Sequence, residues 1–138
     1  MANVKIFVKG VNVPLTKNFS STEFDCNCKL PSCKQTIIDL DHVKNMQTLR
    51  DKLGKPIKQT CGYRCPEHNK AVGGVSNSQH VLGYASDIQV LGLTPDQVAD
   101  LAEPIFNGLG RYDTFTHVDS RSLQQKGVKA RWDFRTKK

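Results

Sequence analysis

The chain has 138 residues, 38% hydrophobic and 24% charged, with 20 Lys and Arg against 13 Asp and Glu for a net charge of +7. That length suits one domain, and the balance excludes a collagen, a coiled coil and a fully disordered chain. No apolar stretch approaches the ~18–20 residues of a membrane span, and the start MANVKIFVKGVNV has no leader-like apolar segment, so a protein made in the cytoplasm is expected.

Along the chain, VKIFV at 4–8 alternates as a short strand, with Gly10 and Pro14 as breakers. Ser20 and Glu23 have the spacing of a capping box, so a brief helix starts there. The cysteine-rich stretch up to Cys33, with Pro31 in it, reads as a loop. Over 36–53, Ile37, Ile38, Leu40, Val43, Met46, Leu49 and Leu53 recur mostly at three- and four-residue steps, which predicts an amphipathic helix closed by Gly54 and Pro56. A strand at 57–61, a short helix at 66–72 and a polar loop from Gly73 to Gln79 follow. Residues 84–90 return to a period of two, with Ser86, Ile88 and Val90 on one face and Asp87 and Gln89 on the other. A second helix opens at Thr94-Pro95-Asp96, buries Val98, Leu101, Ala102 and Ile105, and ends near Gly108. Short strands are predicted at 109–112, 115–119 and 130–134. Strands in hairpin order with two main helices give an α+β fold with a small, mostly antiparallel sheet.

A basic surface attracts polyanions without choosing among them. Six basic side chains between Lys126 and Lys138 face one acid, Asp133, and read as a solvated tail. Trp132 and Phe134, two apart, look like the apolar face of a terminal strand rather than part of a nucleic-acid arm, and no specific nucleic-acid binding is expected.

Five cysteines cannot all pair within one chain. Cys26, Cys28 and Cys33 have the spacing C-x-C-x4-C without an evident second ligand pair downstream, so they read as reduced thiols rather than a zinc knuckle. Cys61 and Cys65 read as a reduced pair around a turn. His42, on the main helix close after Asp39 and Asp41, resembles part of a solvated charged face, and His68 an ordinary hydrogen-bonded histidine.

The informative stretch is SNSQHVLGYASD, Ser76 to Asp87, together with THVD, Thr116 to Asp119. His80 sits on a loop entering a strand, Asp87 on that strand's polar face, and His117 and Asp119 on one face of another strand. If the two strands are neighbours, His80, Asp87 and His117 converge. Two imidazoles and a carboxylate with an open fourth position make a catalytic zinc arrangement.

S-x-H-x2-G-x-A-x-D, filled by Ser78, His80, Gly83, Ala85 and Asp87, resembles the signature of the zinc D-Ala-D-Ala carboxypeptidase family, which includes phage L-alanyl-D-glutamate endopeptidases and shares its fold with the hedgehog signalling domain. TCGYRCPEHN, Thr60 to Asn69, is similar to the family's Ser-Gly-Tyr-Arg strand end, with Cys61 where Ser is usual. GLGRYDTFTHVD, Gly108 to Asp119, is similar to its closing strand. The resemblance covers about 15–134 of one domain spanning 1–138. It implies a hedgehog/DD-peptidase-like fold, Zn2+ held by His80, Asp87 and His117, and Arg64 as a catalytic and substrate-binding arginine. Ser78 either hydrogen-bonds near the substrate or caps its loop. The family acid three residues before the last histidine is replaced by Thr114, which leaves Asp113 and Asp119 as the candidate general bases, Asp113 the preferred one; Asp119 is alternatively a residue that orients an imidazole.

The resulting expectation is a monomeric zinc metallopeptidase that hydrolyses an amide bond in peptidoglycan stem peptides. It would be phage or prophage encoded and reach the wall after holin or virion delivery. The alternative is a non-catalytic zinc-binding module of the same fold, wall-binding or structural in a virion.

Overall fold

The computed structural model describes residues 3–75, 78–121 and 129–136. Ser76, at the start of the motif, and Lys126, Lys137 and Lys138 of the basic C-terminus lie outside the described residues.

The fold is α+β, built on two sheets. Strand β1 (Val4–Val8) pairs antiparallel with β2 (Gln35–Asp39). Between them, Ser20 and Glu23 close the expected capping box on a 3-10 turn, Ser21–Phe24. Helix α1 (Leu40–Leu53) follows β2 directly. The helix predicted for 36–53 is thus a strand and a helix in series. The β-branched run Thr36-Ile37-Ile38 extends along β1, and the Asp39 side chain accepts from Asp41 N to start the helix.

The second sheet contains β3 (Lys58–Cys61), β4 (Ala85–Gln89), β5 (Gly108–Arg111), β6 (Thr116–Asp119) and β7 (Ala130–Asp133), in the spatial order β3-β4-β6-β5-β7. All its pairings are antiparallel except β5 with β7. Helices α2 (Pro66–Ala71) and α3 (Gln79–Leu82) lie between β3 and β4, and α4 (Pro95–Ala102) between β4 and β5. Helix α4 stops short of the predicted Gly108: Glu103 still has helical backbone, but Pro104 has no N–H to continue the helical hydrogen bonds. No helix among the described residues is long and apolar enough to cross a membrane.

One face of the large sheet makes the core. Ile88, Leu109 and Val118 meet Val43, Met46 and Leu49 of α1 and Val98, Ala99 and Ala102 of α4, all at most 1% exposed. His42 corrects the reading of a solvated face: it is 0% exposed, between Ser86 Oγ at 2.9 Å from Nε2 and Ser120 Oγ at 2.8 Å from Nδ1. Burial pushes its pKa down to about 3. Unfolding frees it to bind a proton near pH 6.5, so between these values the unfolded chain binds more protons. Its contribution to stability is complete above about pH 6.5 and is lost as pH falls toward 3, by at most about 1.4 kcal/mol per pH unit. Urea unfolding followed from pH 7 to 4 should therefore have a weaker pH dependence in His42→Gln than in the parent protein; equal slopes would remove His42 as the cause.

Two arginines in the described part of the basic C-terminus are paired. Arg131 bridges to Glu103 at 2.7 Å, and Arg135 to Asp133 at 2.6 Å and Asp96 at 2.8 Å.

Candidate metal centre and cavity

The opposite face of the sheet carries a transverse row. Cys61 pairs with Asp87, Asp87 with His117, His117 with Gly110, and Gly110 with Trp132. Residues in register across neighbouring strands point to the same face, so the pleat alone delivers Asp87 and His117 side by side. His80 arrives from outside the sheet on α3. The Ser78 side chain caps that helix by accepting from His80 N at 3.2 Å, and it also lines the cavity, so it fits both roles left open by the sequence.

The tautomers follow from the partners. His80 Nδ1 donates to Gly62 O at 2.8 Å, which leaves Nε2 facing Asp87 Oδ1 at 3.3 Å. His117 Nε2 donates to Asp119 Oδ2 at 2.7 Å, which leaves Nδ1 facing the same Asp87 Oδ1 at 3.0 Å. Two ring lone pairs therefore converge on one carboxylate oxygen, an arrangement that requires positive charge between them. The rings stand edge to face, 5.1 Å between centroids, and each of the three residues is at most 8% exposed. Burial opposes charge on His80, but Asp87 and Cys61 raise its pKa to about 10. Burial likewise opposes ionisation of Asp87, yet hydrogen bonds with His117 and His80 hold its carboxyl well below the usual range. A proton satisfies this trio, and a divalent cation suits the same N, O, N donor set.

Cys61 is the member that sequence reading missed. Its ligand atom lies within 4.8 Å of those of His80 and Asp87. However, its sulfur is 3.7 Å from His80 Nδ1, the nitrogen already committed to Gly62, and so sits behind the ring rather than on the cavity side. Its predicted partner, Cys65, packs elsewhere, against Cys26 and Cys28.

The trio forms the floor of a cavity of about 480 Å3, walled by Tyr112, Phe115, Trp132 and Phe134 and lined by Arg64, Gln79 and Arg121. Trp132 is thus a wall of the site, its ring 5.0 Å from that of His117 and its Nε1 donating to Tyr112 Oη at 2.8 Å. Arg64 Nη1 donates to Asn69 Oδ1 at 2.9 Å, while Arg64 Nε and Gln79 Oε1 are buried with no partner among the described residues. Unsatisfied buried polar groups on a cavity wall point to a polar ligand. A larger groove, lined by Ile57, Val90, Leu91 and Lys55, has no comparable cluster of ligating side chains.

The two candidate acids differ sharply. Asp119 is fully buried, holding His117 Nε2 and both Arg121 Nε at 2.8 Å and Arg121 Nη2 at 2.7 Å. Burial opposes its charge, and Arg121 and His117 together hold its carboxyl well below the usual range. Asp113 is exposed, accepts from Thr136 N at 3.0 Å and Oγ1 at 2.9 Å, and does not line the cavity. Arg121, which also lies over Trp132 at 5.3 Å, carried no sequence signal.

Two glycines of β5 make room for this arrangement. A Cβ on Gly108 would fall on the Asp119 carboxylate, and one on Gly110 on the Trp132 indole. Gly110→Val should push Trp132 off His117 at a cost of about 1–3 kcal/mol. Trp132 is the sole tryptophan of the chain, so its fluorescence reads this directly. A red-shifted emission is expected, and an unchanged spectrum would contradict the packing.

Among families of known proteins, the peptidase M15 family model matches residues 17–119, well over half of the chain. Among curated proteins, the chain is similar to one named "Probable peptidoglycan L,D-endopeptidase MepK" of Haemophilus influenzae. The two are 34% identical over an alignment 93 residues long that covers 61% of this chain and 50% of that protein. The chain thus spans about half the length of this curated relative.

Proposed function

The chain belongs to the peptidase M15 family, and from that premise we propose that it is a zinc peptidase hydrolysing an amide bond in peptidoglycan stem peptides. The observation that carries the reading is the pair of imidazole lone pairs aimed at one Asp87 oxygen on the cavity floor. His80 Nε2, Asp87 and His117 Nδ1 would hold the metal. Zinc bound there would polarise the substrate carbonyl and make hydroxide available near neutral pH. The unpartnered Arg64 Nε suits a substrate carbonyl or carboxylate, and Gln79 Oε1 suits a peptide N–H. Asp119 takes the orienting role of the two open to it, because its oxygens are occupied by His117 and Arg121. The relative's name, a peptidoglycan L,D-endopeptidase, supports cleavage within the stem or its crosslink over release of a terminal D-Ala.

One observation favours a second reading, a non-catalytic zinc-binding module. Asp87 is the only carboxylate among the described residues lining the cavity, and it is a proposed ligand, so no separate general base faces the substrate there. Mass spectrometry of muropeptides from purified peptidoglycan incubated with zinc-loaded protein decides between the two. New chelator-sensitive termini are expected and would name the bond; an unchanged digest across several wall chemotypes would overturn the peptidase reading in favour of the binding module.

A further inference from the structure

Away from the cavity, the sulfurs of Cys26, Cys28, Cys33 and Cys65 all lie within 4.8 Å of one another. The first three come from the loop between the 3-10 turn and β2, and the fourth is the N-cap of α2. Cys65 Sγ is 3.8 Å from both Cys26 Sγ and Cys28 Sγ. Four sulfurs placed tetrahedrally at about 2.3 Å from a zinc ion are about 3.8 Å apart. All four are free thiols.

We propose that Cys26, Cys28, Cys33 and Cys65 form a second metal site, a structural tetrathiolate centre for zinc. The odd cysteine count is then explained, with four residues in this centre and Cys61 alone beside His80. Sequence reading rejected the site because C-x-C-x4-C lacked a second ligand pair; the fold supplies the fourth ligand from a single distant residue. Soft sulfur donors in a closed set of four select zinc and leave no position for substrate. Three N–H donors face the sulfurs. Cys65 N donates to Cys26 Sγ and His68 N to Cys65 Sγ, both at 3.4 Å, and Lys9 Nζ lies 3.5 Å from Cys28 Sγ. Cys26 and Cys65 are each 4% exposed and pack with Tyr63, which seals the centre from one side.

The position gives the centre a purpose. Cys65 follows Arg64 directly, and Gly62, whose carbonyl fixes the His80 tautomer, is three residues before it. Zinc here would bolt the 26–33 loop to the strand end that presents Arg64 and orients His80. The proposal does not depend on the activity proposed above.

Native mass spectrometry of the full chain, purified under reducing conditions with zinc supplied, tests it. The parent protein should carry two zinc ions. His80→Ala/His117→Ala should keep one, and Cys28→Ser/Cys33→Ser should also keep one. Should the serine variant fail to fold, the histidine variant loaded with cobalt instead must show intense thiolate-to-cobalt charge-transfer absorption. In its zinc form only Cys61 should react quickly with a thiol reagent until chelator is added. A histidine variant that binds no zinc and whose five cysteines react at one rate, or a mass reduced by disulfide formation, would overturn the centre.

Discussion

Asp87→Asn is expected to abolish tight zinc binding at the cavity floor and to lower peptidoglycan cleavage by roughly 10^3-fold or more, since a catalytic metal contributes several kcal/mol to the barrier. Asp87 is the common partner of both imidazoles, at 3.3 Å from His80 Nε2 and 3.0 Å from His117 Nδ1. An amide of the same size keeps the packing but removes the charge that draws a cation between the rings. The effect should therefore fall on metal affinity, measured by calorimetry, while circular dichroism stays unchanged. A variant with parental zinc affinity would exclude Asp87 from the ligand set.

Asp119→Asn should produce the second largest change, and through a different route. The carboxylate is fully buried and satisfies His117 and the Arg121 fork together. Removing one partner of a buried ion pair costs about 3–5 kcal/mol; Arg121 is 30% exposed, which places the loss near the lower end. Loss of the hydrogen bond that orients a ligating histidine weakens metal binding by about 10–100-fold. The sign of the pH effect is opposite to that of a group with a raised pKa. The Asp119 carboxyl is held below its usual value, so its stabilisation is complete at neutral pH and is lost as pH falls below about 4. Acid unfolding of the variant should be correspondingly flatter in that range. Unaltered zinc affinity in a folded Asp119→Asn protein would reduce Asp119 to a structural role.

The sequence made the element types legible where patterning is local. The alternation of VKIFV, the Ser20–Glu23 box, Pro at the start of α2 and the Thr94 cap each fix an element through neighbours a few residues away. Local reading failed where a neighbour decides. The 36–39 segment continues the helical spacing of α1, yet it pairs with β1 from 29 or more residues away. His42 follows two acids, Asp39 and Asp41, in sequence, but the helix turns it onto Ser86 and Ser120 rather than toward solvent.

The site divides in the same way. Residue types and spacing were enough to single out His80, Asp87 and His117, on the condition that β4 and β6 were neighbours, and the register Asp87–His117 meets that condition. Arg121 and Trp132 were not legible as site residues, because one follows the last strand of the motif and the other arrives on the parallel strand β7. Cys61 and Cys65 look like a pair four apart, but β3 ends between them, so one faces His80 and the other the loop cysteines.

The central claim, that His80, Asp87 and His117 hold the catalytic metal, is tested most directly by a crystal structure of the zinc-loaded protein with anomalous data at the zinc edge. The account predicts a peak between His80 Nε2, Asp87 Oδ1 and His117 Nδ1, open toward Arg64 and the aromatic wall. A peak ligated by Cys61 in place of His117, or no peak on the cavity floor, would contradict it.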